Sequence, residues 1–224
     1  MALIAKKKAK STVPPLAADT YLAVCIGVID LGEQLVKFKE KSEQYLHKIL
    51  FLFEVIGETV DVDGEAKPRW LSKEYTLSLS GKSKLAPVIS AWTGIEAVDE
   101  YDVMQLVGRP ALITVIVKET DSGLYNDIPV ITSPPKFMTI PNAESELLPF
   151  EIENWNNEVF EKLPEWIQNK IKNSTEYQTK YAPDKKVSFK DGENTDKTGE
   201  NTGENDEKSS ETHAEPVKTD TVPF

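Results

Sequence analysis

Apolar positions along the chain fall into runs of different period. Tyr21–Leu31 (YLAVCIGVIDL) and His47–Ile56 (HKILFLFEVI) are almost unbroken apolar and β-branched stretches, closed by Gly32 and Gly57. Each predicts a strand. Tyr75–Leu79, within EYTLSLS, alternates with period two and predicts a third strand, after a Gly/Pro-containing loop, DGEAKPRW. In SKLAPVISAW, residues 83–92, Leu85, Ile89 and Trp92 fall near helical spacing, Ser83 can cap and Gly94 stops the segment. A short acidic helix, VDEYDVMQLVG, follows. Ala111–Val117 (ALITVIV) and Tyr125–Thr132 (YNDIPVIT) predict the fourth and fifth strands, and Pro134-Pro135 ends the fifth.

Three strands, a helical insert and two strands is the order of a five-stranded OB barrel. The expected fold class is therefore mainly β, an OB-like barrel over residues 19–140. Five short strands also fit another small barrel or a sandwich. Phe51, Phe53 and Trp92 are expected in its core. Beyond residue 141 the period turns helical: Phe160, Leu163, Ile167 and Ile171 share one face of NEVFEKLPEWIQNKIK, with Pro164 opening the main helix. This extension, 141–182, is expected to dock on the barrel or on a second subunit, with Trp155 and Trp166 as its packing residues. A homo-oligomer stays open. Residues 1–18 are read as a flexible arm; Lys6, Lys7, Lys8 and Lys10 make it either a solvated tail or a phosphate-touching one. Residues 183–224 have almost no aliphatic residue before the tip, so they cannot offset the entropy of ordering and are expected to be disordered.

Charge changes this picture less than its total suggests. A net charge of −11 argues against a polyanionic ligand. From Lys190 to Phe224, however, ten Asp/Glu face four Lys, a net of −6, which leaves −5 for residues 1–189. The single cysteine, Cys25, builds neither a disulfide framework nor a zinc ribbon and is expected to be a small buried hydrophobe. No apolar run approaches the roughly 18 residues of a membrane span, and MALIAKKKAK has too short an apolar run for a signal peptide. A cytoplasmic, reducing setting is expected, with no membrane partner.

Single-strand binding needs cations for the backbone and aromatic faces for bases, stacking being worth about 1–3 kcal/mol per base. Arg69, Trp70, Lys73 and Tyr75 interleave the two within seven residues, and Lys82 and Lys84 follow. Lys37, Phe38, Lys39 and Lys41 form a second interleaved group between the first two strands, the position of an OB binding loop, and Lys48 opens the second strand. Enzyme signatures are not expected: the glycines are scattered, and neither HExxH nor CxxC occurs. Asp61, Asp63 and Glu65 lack the twelfth-position Glu of a calcium loop, since residue 72 is Ser, and are read as a surface turn. Asp99, Glu100 and Asp102 are read as a solvated helix start. No catalytic residue, metal or cofactor is expected.

The acidic segment ends on an apolar tip, in which Val222 and Phe224 can fill a partner's pocket while Asp220 and the terminal carboxylate meet its basic rim. Asp220, Val222, Pro223 and Phe224 resemble the end of bacterial single-stranded DNA-binding proteins, where an acidic tail closes with several Asp and Ile-Pro-Phe; Thr221 stands where Asp is typical, and Val replaces Ile. In that family the tip recruits replication and repair proteins. TYLAVCIGVIDLG, PRWLSKEYTLSLSGKSKL with Trp92, and LPEWIQNKI resemble OB-type single-stranded DNA-binding proteins of bacteriophages, over roughly residues 19–172. The resemblance implies non-enzymatic binding of single strands during replication or recombination in a bacterial host cell. The competing expectation is an OB-like adaptor whose acidic surface binds proteins and never DNA. The two diverge on whether the lysines at 37–41, 48, 69–73 and 82–84 converge on one face.

Overall fold

In this computed structural model the residues described are 13–37, 43–62, 64–96, 99–120 and 123–181. Five strands form one antiparallel sheet: β1 (Asp19–Val36), β2 (Gln44–Val62), β3 (Glu65–Thr76), β4 (Pro110–Thr120) and β5 (Gly123–Thr132), in the spatial order β3-β2-β1-β4-β5. The sheet curls into a half-barrel, so that an ion pair between Lys73 of β3 and Asp127 of β5 joins its two outermost strands. Helix α1 (Leu85–Thr93) follows β3, and a 3-10 turn at Val103–Leu106 precedes β4. After β5 come α2 (Asn157–Lys162), α3 (Glu165–Lys172) and α4 (Thr175–Lys180). No helix among the described residues is long and apolar enough to cross a membrane.

The strands run further than their apolar cores predict. Gly32 does not close β1; it sits at φ 65 beside a register shift between Asp30 and Gly32, and the strand continues to Val36. Such a left-handed glycine absorbs the extra residue of a β-bulge. A Cβ on Gly32 would also lie 2.5 Å from Glu176 Oε2 and 2.8 Å from Ser174 Cβ, so both conformation and space demand glycine. Gly57, at φ 80, likewise lies inside the shift between Val55 and Thr59, and β2 continues to Val62. The expected loop DGEAKPRW is mostly strand: β3 starts at Glu65 and ends at Thr76, short of the predicted Leu79. Pro68 is tolerated because β3 is an edge strand and Pro68 pairs at that same interruption.

Central strands with both faces covered explain the unbroken apolar runs. On the inner face, Cys25, Val28, Phe51, Phe53, Ile113 and Ile131 pack under Leu85, Ile89 and Trp92 of α1. Trp92 lies 5.8 Å from Phe51 and 5.6 Å from Phe53 between ring centroids, and its indole N–H donates to the Pro110 carbonyl at 2.7 Å. Ser83 Oγ accepts the Leu85 N–H at the start of α1, and Gly94 ends it in the left-handed conformation. Burial pushes the Cys25 thiol pKa up to about 12, so the thiol is packing material.

The outer face is covered by a strap, residues 143–181. Along β1, β4 pairs only with Asp19–Val24, which leaves the second half of β1 with a free edge. The strap takes it: the Leu148 N–H donates to Ile26 O at 2.6 Å, the Phe150 N–H to Val28 O at 3.0 Å, and the Asp30 N–H to Phe150 O at 2.8 Å. Phe150, Phe160, Leu163, Ile167 and Ile171 then pack on Ile26, Ile29, Leu50 and Leu52. The predicted apolar face is thus buried, but the chain breaks at Leu163-Pro164 into α2 and α3. Trp155 packs as expected, with its ring 4.6 Å from Phe160 and 4.8 Å from Tyr181. Trp166 does not; it stays 47% exposed. Within the span read as an arm, residues 13–18 are tied down: Leu16 exchanges two hydrogen bonds with Asn126, at 2.8 and 2.9 Å, and its side chain packs on the inner core.

Candidate functional site

The start of β2, the end of β3 and the loop 77–84 enclose a groove of about 770 Å³. Lys48, Lys73, Lys82 and Lys84 line it, with Tyr45 and His47 on the β2 wall. Lys73, Tyr75, Ser83 and Lys84 also line a second groove, of about 570 Å³, between α1 and β5, where Lys118 and Asp127 join them. The two grooves share that wall. Together they gather five lysines against two carboxylates, Glu74 and Asp127, in a chain whose net charge is −11.

The pairing of these lysines is uneven. Lys48 donates to Thr76 Oγ1 at 2.9 Å and lies 3.9 Å from Glu74, which also receives Lys170 of α3. Lys73 and Lys118 both donate to Asp127, one to each carboxylate oxygen. Burial pushes the Asp127 carboxyl up, but the hydrogen bonds from Lys118 and Lys73, with their charges, outweigh it and hold the pKa at about 2. Lys82 and Lys84 are exposed and form no ion pair among the described residues.

The expected group Arg69, Trp70, Lys73 and Tyr75 is dispersed. Because it is strand, Trp70 points to the face opposite Arg69, Lys73 and Tyr75, and burial separates the other three. Tyr75 turns inward onto Phe51, 5.4 Å away, and is only 6% exposed; burial, aided by the charge of Asp127, pushes its phenol up to about 12. Its ring has no open face for a base. Trp70 turns to the outer face and donates to Ser145 Oγ at 2.9 Å. Arg69 is buried, donates to the Pro14 carbonyl at 2.9 Å, and has its pKa lowered by that burial. Arg69 and Trp70 line a separate pocket of about 570 Å³ with Trp166. Lys37 is engaged by Glu43 at 2.5 Å across the β1–β2 hairpin. Phe38, Lys39 and Lys41, like Asp220, Val222, Pro223, Phe224 and the lysines of the arm, lie outside the described residues.

Three residues of this region carry no prior signal strong enough to single them out. Tyr45 presents an exposed ring on the groove wall, and only its place beside the lysine-rich hairpin marks it. Lys118 and Asp127 meet through the pairing of β4 with β5, and Lys73 reaches Asp127 across the sheet's open side. The one hint is Asp127 itself, an acid amid apolar neighbours in YNDIPVIT.

At one end of the first groove, His47 Nε2 meets Asp30 Oδ1 at 2.7 Å and His47 Nδ1 lies 3.9 Å from Glu176 of α4. The Asp30 hydrogen bond raises the His47 pKa against the opposing effect of burial, and the charges of Asp30, Glu176 and Glu33 add to it. Burial pushes Asp30 up, but His47 and the Gly32 and Ile152 amides hold it below its ordinary value. This clasp ties the strap to β1 and β2. Compared with protein-family models and with curated proteins, the chain matches none.

Proposed function

We propose that the chain binds single-stranded DNA along the lysine-lined grooves, protects it during phage-type replication or recombination, and recruits partner proteins through Asp220, Val222, Pro223 and Phe224. The observation that carries this reading is the gathering of five lysines on two adjoining grooves of a strongly acidic chain. Exposed Lys82 and Lys84 offer cations to the backbone, and Tyr45 offers a ring to a base. The spatial order β3-β2-β1-β4-β5, with β3 brought back to β5, also supports an OB-like identity. In that fold the face of the second and third strands, with the adjacent loops, takes oligonucleotides.

Fluorescence anisotropy with a labelled poly-dT oligonucleotide, with and without duplex competitor, over a salt series tests it. The expected result is binding that duplex does not displace and that weakens with salt, at a log–log slope of about −0.7 per phosphate contact. Replacing both Lys82 and Lys84 by Glu removes most of it. Tyr45→Ala costs about 1–3 kcal/mol if that ring stacks a base. No binding at low salt overturns the proposal in favour of an adaptor that binds proteins alone. The observation favouring that second reading is that Lys37, Lys48 and Lys73 already hold carboxylate partners.

A further inference from the structure

Asp127 has an unusual position for a residue beside a polyanion's groove. Among the described residues lining the second groove it is the one carboxylate, and it faces both Lys73 and Lys118. Each of its oxygens accepts from a different ammonium group, Oδ1 from Lys73 and Oδ2 from Lys118. Two non-bridging oxygens of a phosphodiester offer the same two acceptors and the same single charge. The side chains are layered by depth: Lys118 is 46% exposed and Lys73 26%, whereas Asp127 is 15% exposed and lies beneath them. Both lysine side chains are therefore more open to solvent than the carboxylate they share. Lys84, without an ion pair among the described residues, stands on the wall that links this groove to the first. Tyr125, the cross-strand neighbour of Lys118, carries an exposed ring.

Resting on the single-strand-binding reading above, we propose that Asp127 is an internal stand-in for a backbone phosphate. The bound strand continues from the first groove past Lys84 into the second, and one of its phosphates takes over Lys73 and Lys118 from Asp127. The exchange takes both ammonium partners from a carboxylate that is only 15% exposed, a cost that the phosphate's own contacts with Lys73 and Lys118 must offset. It also lowers affinity, because two lysines are already neutralised in the free protein, and it keeps the vacant groove from holding anions indiscriminately. Neutralising a carboxylate that is only a strut between β3 and β5 would tighten binding solely by removing a negative charge near the strand, a gain that does not run through Lys118 and that the double variant would keep.

The test is poly-dT anisotropy on the full chain, across a salt series, for the wild type, Asp127→Asn, Lys118→Gln and the double variant. Asn keeps an oxygen for the Ile128 amide and removes the charge. Asp127→Asn is expected to bind about three- to tenfold tighter at low salt, with a slope steeper by about 0.7–1.4, one to two added phosphate contacts. Lys118→Gln is expected to weaken binding several-fold and, in the double variant, to cancel most of the gain. Unchanged or weaker binding by a folded Asp127→Asn, with the wild type still binding poly-dT, overturns the inference and leaves the functional reading intact. Should thermal unfolding show that Asp127→Asn has lost its fold, Lys118→Gln decides, and unchanged binding overturns the inference. A wild type that does not bind poly-dT removes both.

Discussion

The two faces of the β1–β2 ladder are both dry, yet they are sealed in different ways. The inner face closes on itself: the curled strands supply most of the apolar side chains, and one helix with Trp92 plugs the opening. The outer face is sealed by a separate strap, held in register by polar contacts as well as by apolar packing. Buried Glu54 accepts the Glu144 and Ser145 amides, both at 2.8 Å, Glu176 accepts the Glu33 amide at 2.8 Å, and Asp30 joins His47 to the Ile152 amide. Apolar burial is non-directional, so a strap that must find one position along two long strands needs directional groups to choose it. A plug entering a curled sheet is positioned mostly by shape, with the Trp92 indole tied to the Pro110 carbonyl. The same strands thus show packing fixed mostly by volume on one side and by hydrogen bonds together with volume on the other.

The largest effects come from emptying either core. Trp92→Ala should cost about 3–5 kcal/mol and Ile167→Ala about 2–5 kcal/mol, measured by denaturant unfolding. Hydrogen exchange separates them. Trp92→Ala is expected to speed exchange across β1, β2 and β4 together, whereas Ile167→Ala should release the strap amides, such as Leu148 and Phe150, before the sheet opens. Uniform acceleration in both variants would erase the distinction between plug and strap.

A smaller effect follows from a directional group alone. Glu54→Ala leaves two amides without their acceptor in a buried site and should cost about 1–3 kcal/mol. The loss should appear in strap exchange more than in that of the inner core.

The smallest is a pH dependence. His47 titrates higher in the folded chain than its ordinary 6.5, so its contribution is complete below that value and fades as pH rises through the folded pKa. Asp30 titrates below its ordinary 3.8, so its share is present above that value and fades in acid. The clasp is therefore strongest between about pH 4 and 6.5. The thermal midpoint should decline from pH 6 toward 9, and His47→Gln should flatten that decline. A His47→Gln profile parallel to the wild type would remove the clasp from the strap's attachment.

The positions of β1, β2, β4, β5 and α1 follow from apolar periodicity, because burying both faces or one face leaves an unmistakable pattern; β3 does not, since the expected Tyr75–Leu79 overlaps it only at Tyr75 and Thr76. Nor do the ends of β1 and β2, since Gly32 and Gly57 carry the same local signal whether a strand stops or bulges, and only the partner strand decides. The candidate site was legible in part. Lys48, Lys73, Lys82 and Lys84 do meet at one groove. Alternation along β3 turns only Trp70 to the opposite face; Arg69 and Tyr75 share the face of Lys73 but are drawn off by burial, Arg69 onto the Pro14 carbonyl and Tyr75 against Phe51. Trp166 resembled packing material because it sits on an amphipathic helix, but it falls outside the buried stripe of Ile167 and Ile171. The link from Lys73 to Asp127 depends on the curl of the sheet and has no local signature at all.

The strap also sets a schedule. β1 and β2 are made first, yet the segment that covers their outer side ends with α3 and α4, and roughly 110 residues separate the end of β2 from the end of α3. At about 5–20 residues per second, a ribosome would hold that apolar surface uncovered for on the order of 5–20 s. During this interval the nascent hairpin offers the free edge of β1 and an oily surface to any other chain nearby. Slowing synthesis before residue 143 would lengthen that window without altering a single contact of the finished fold.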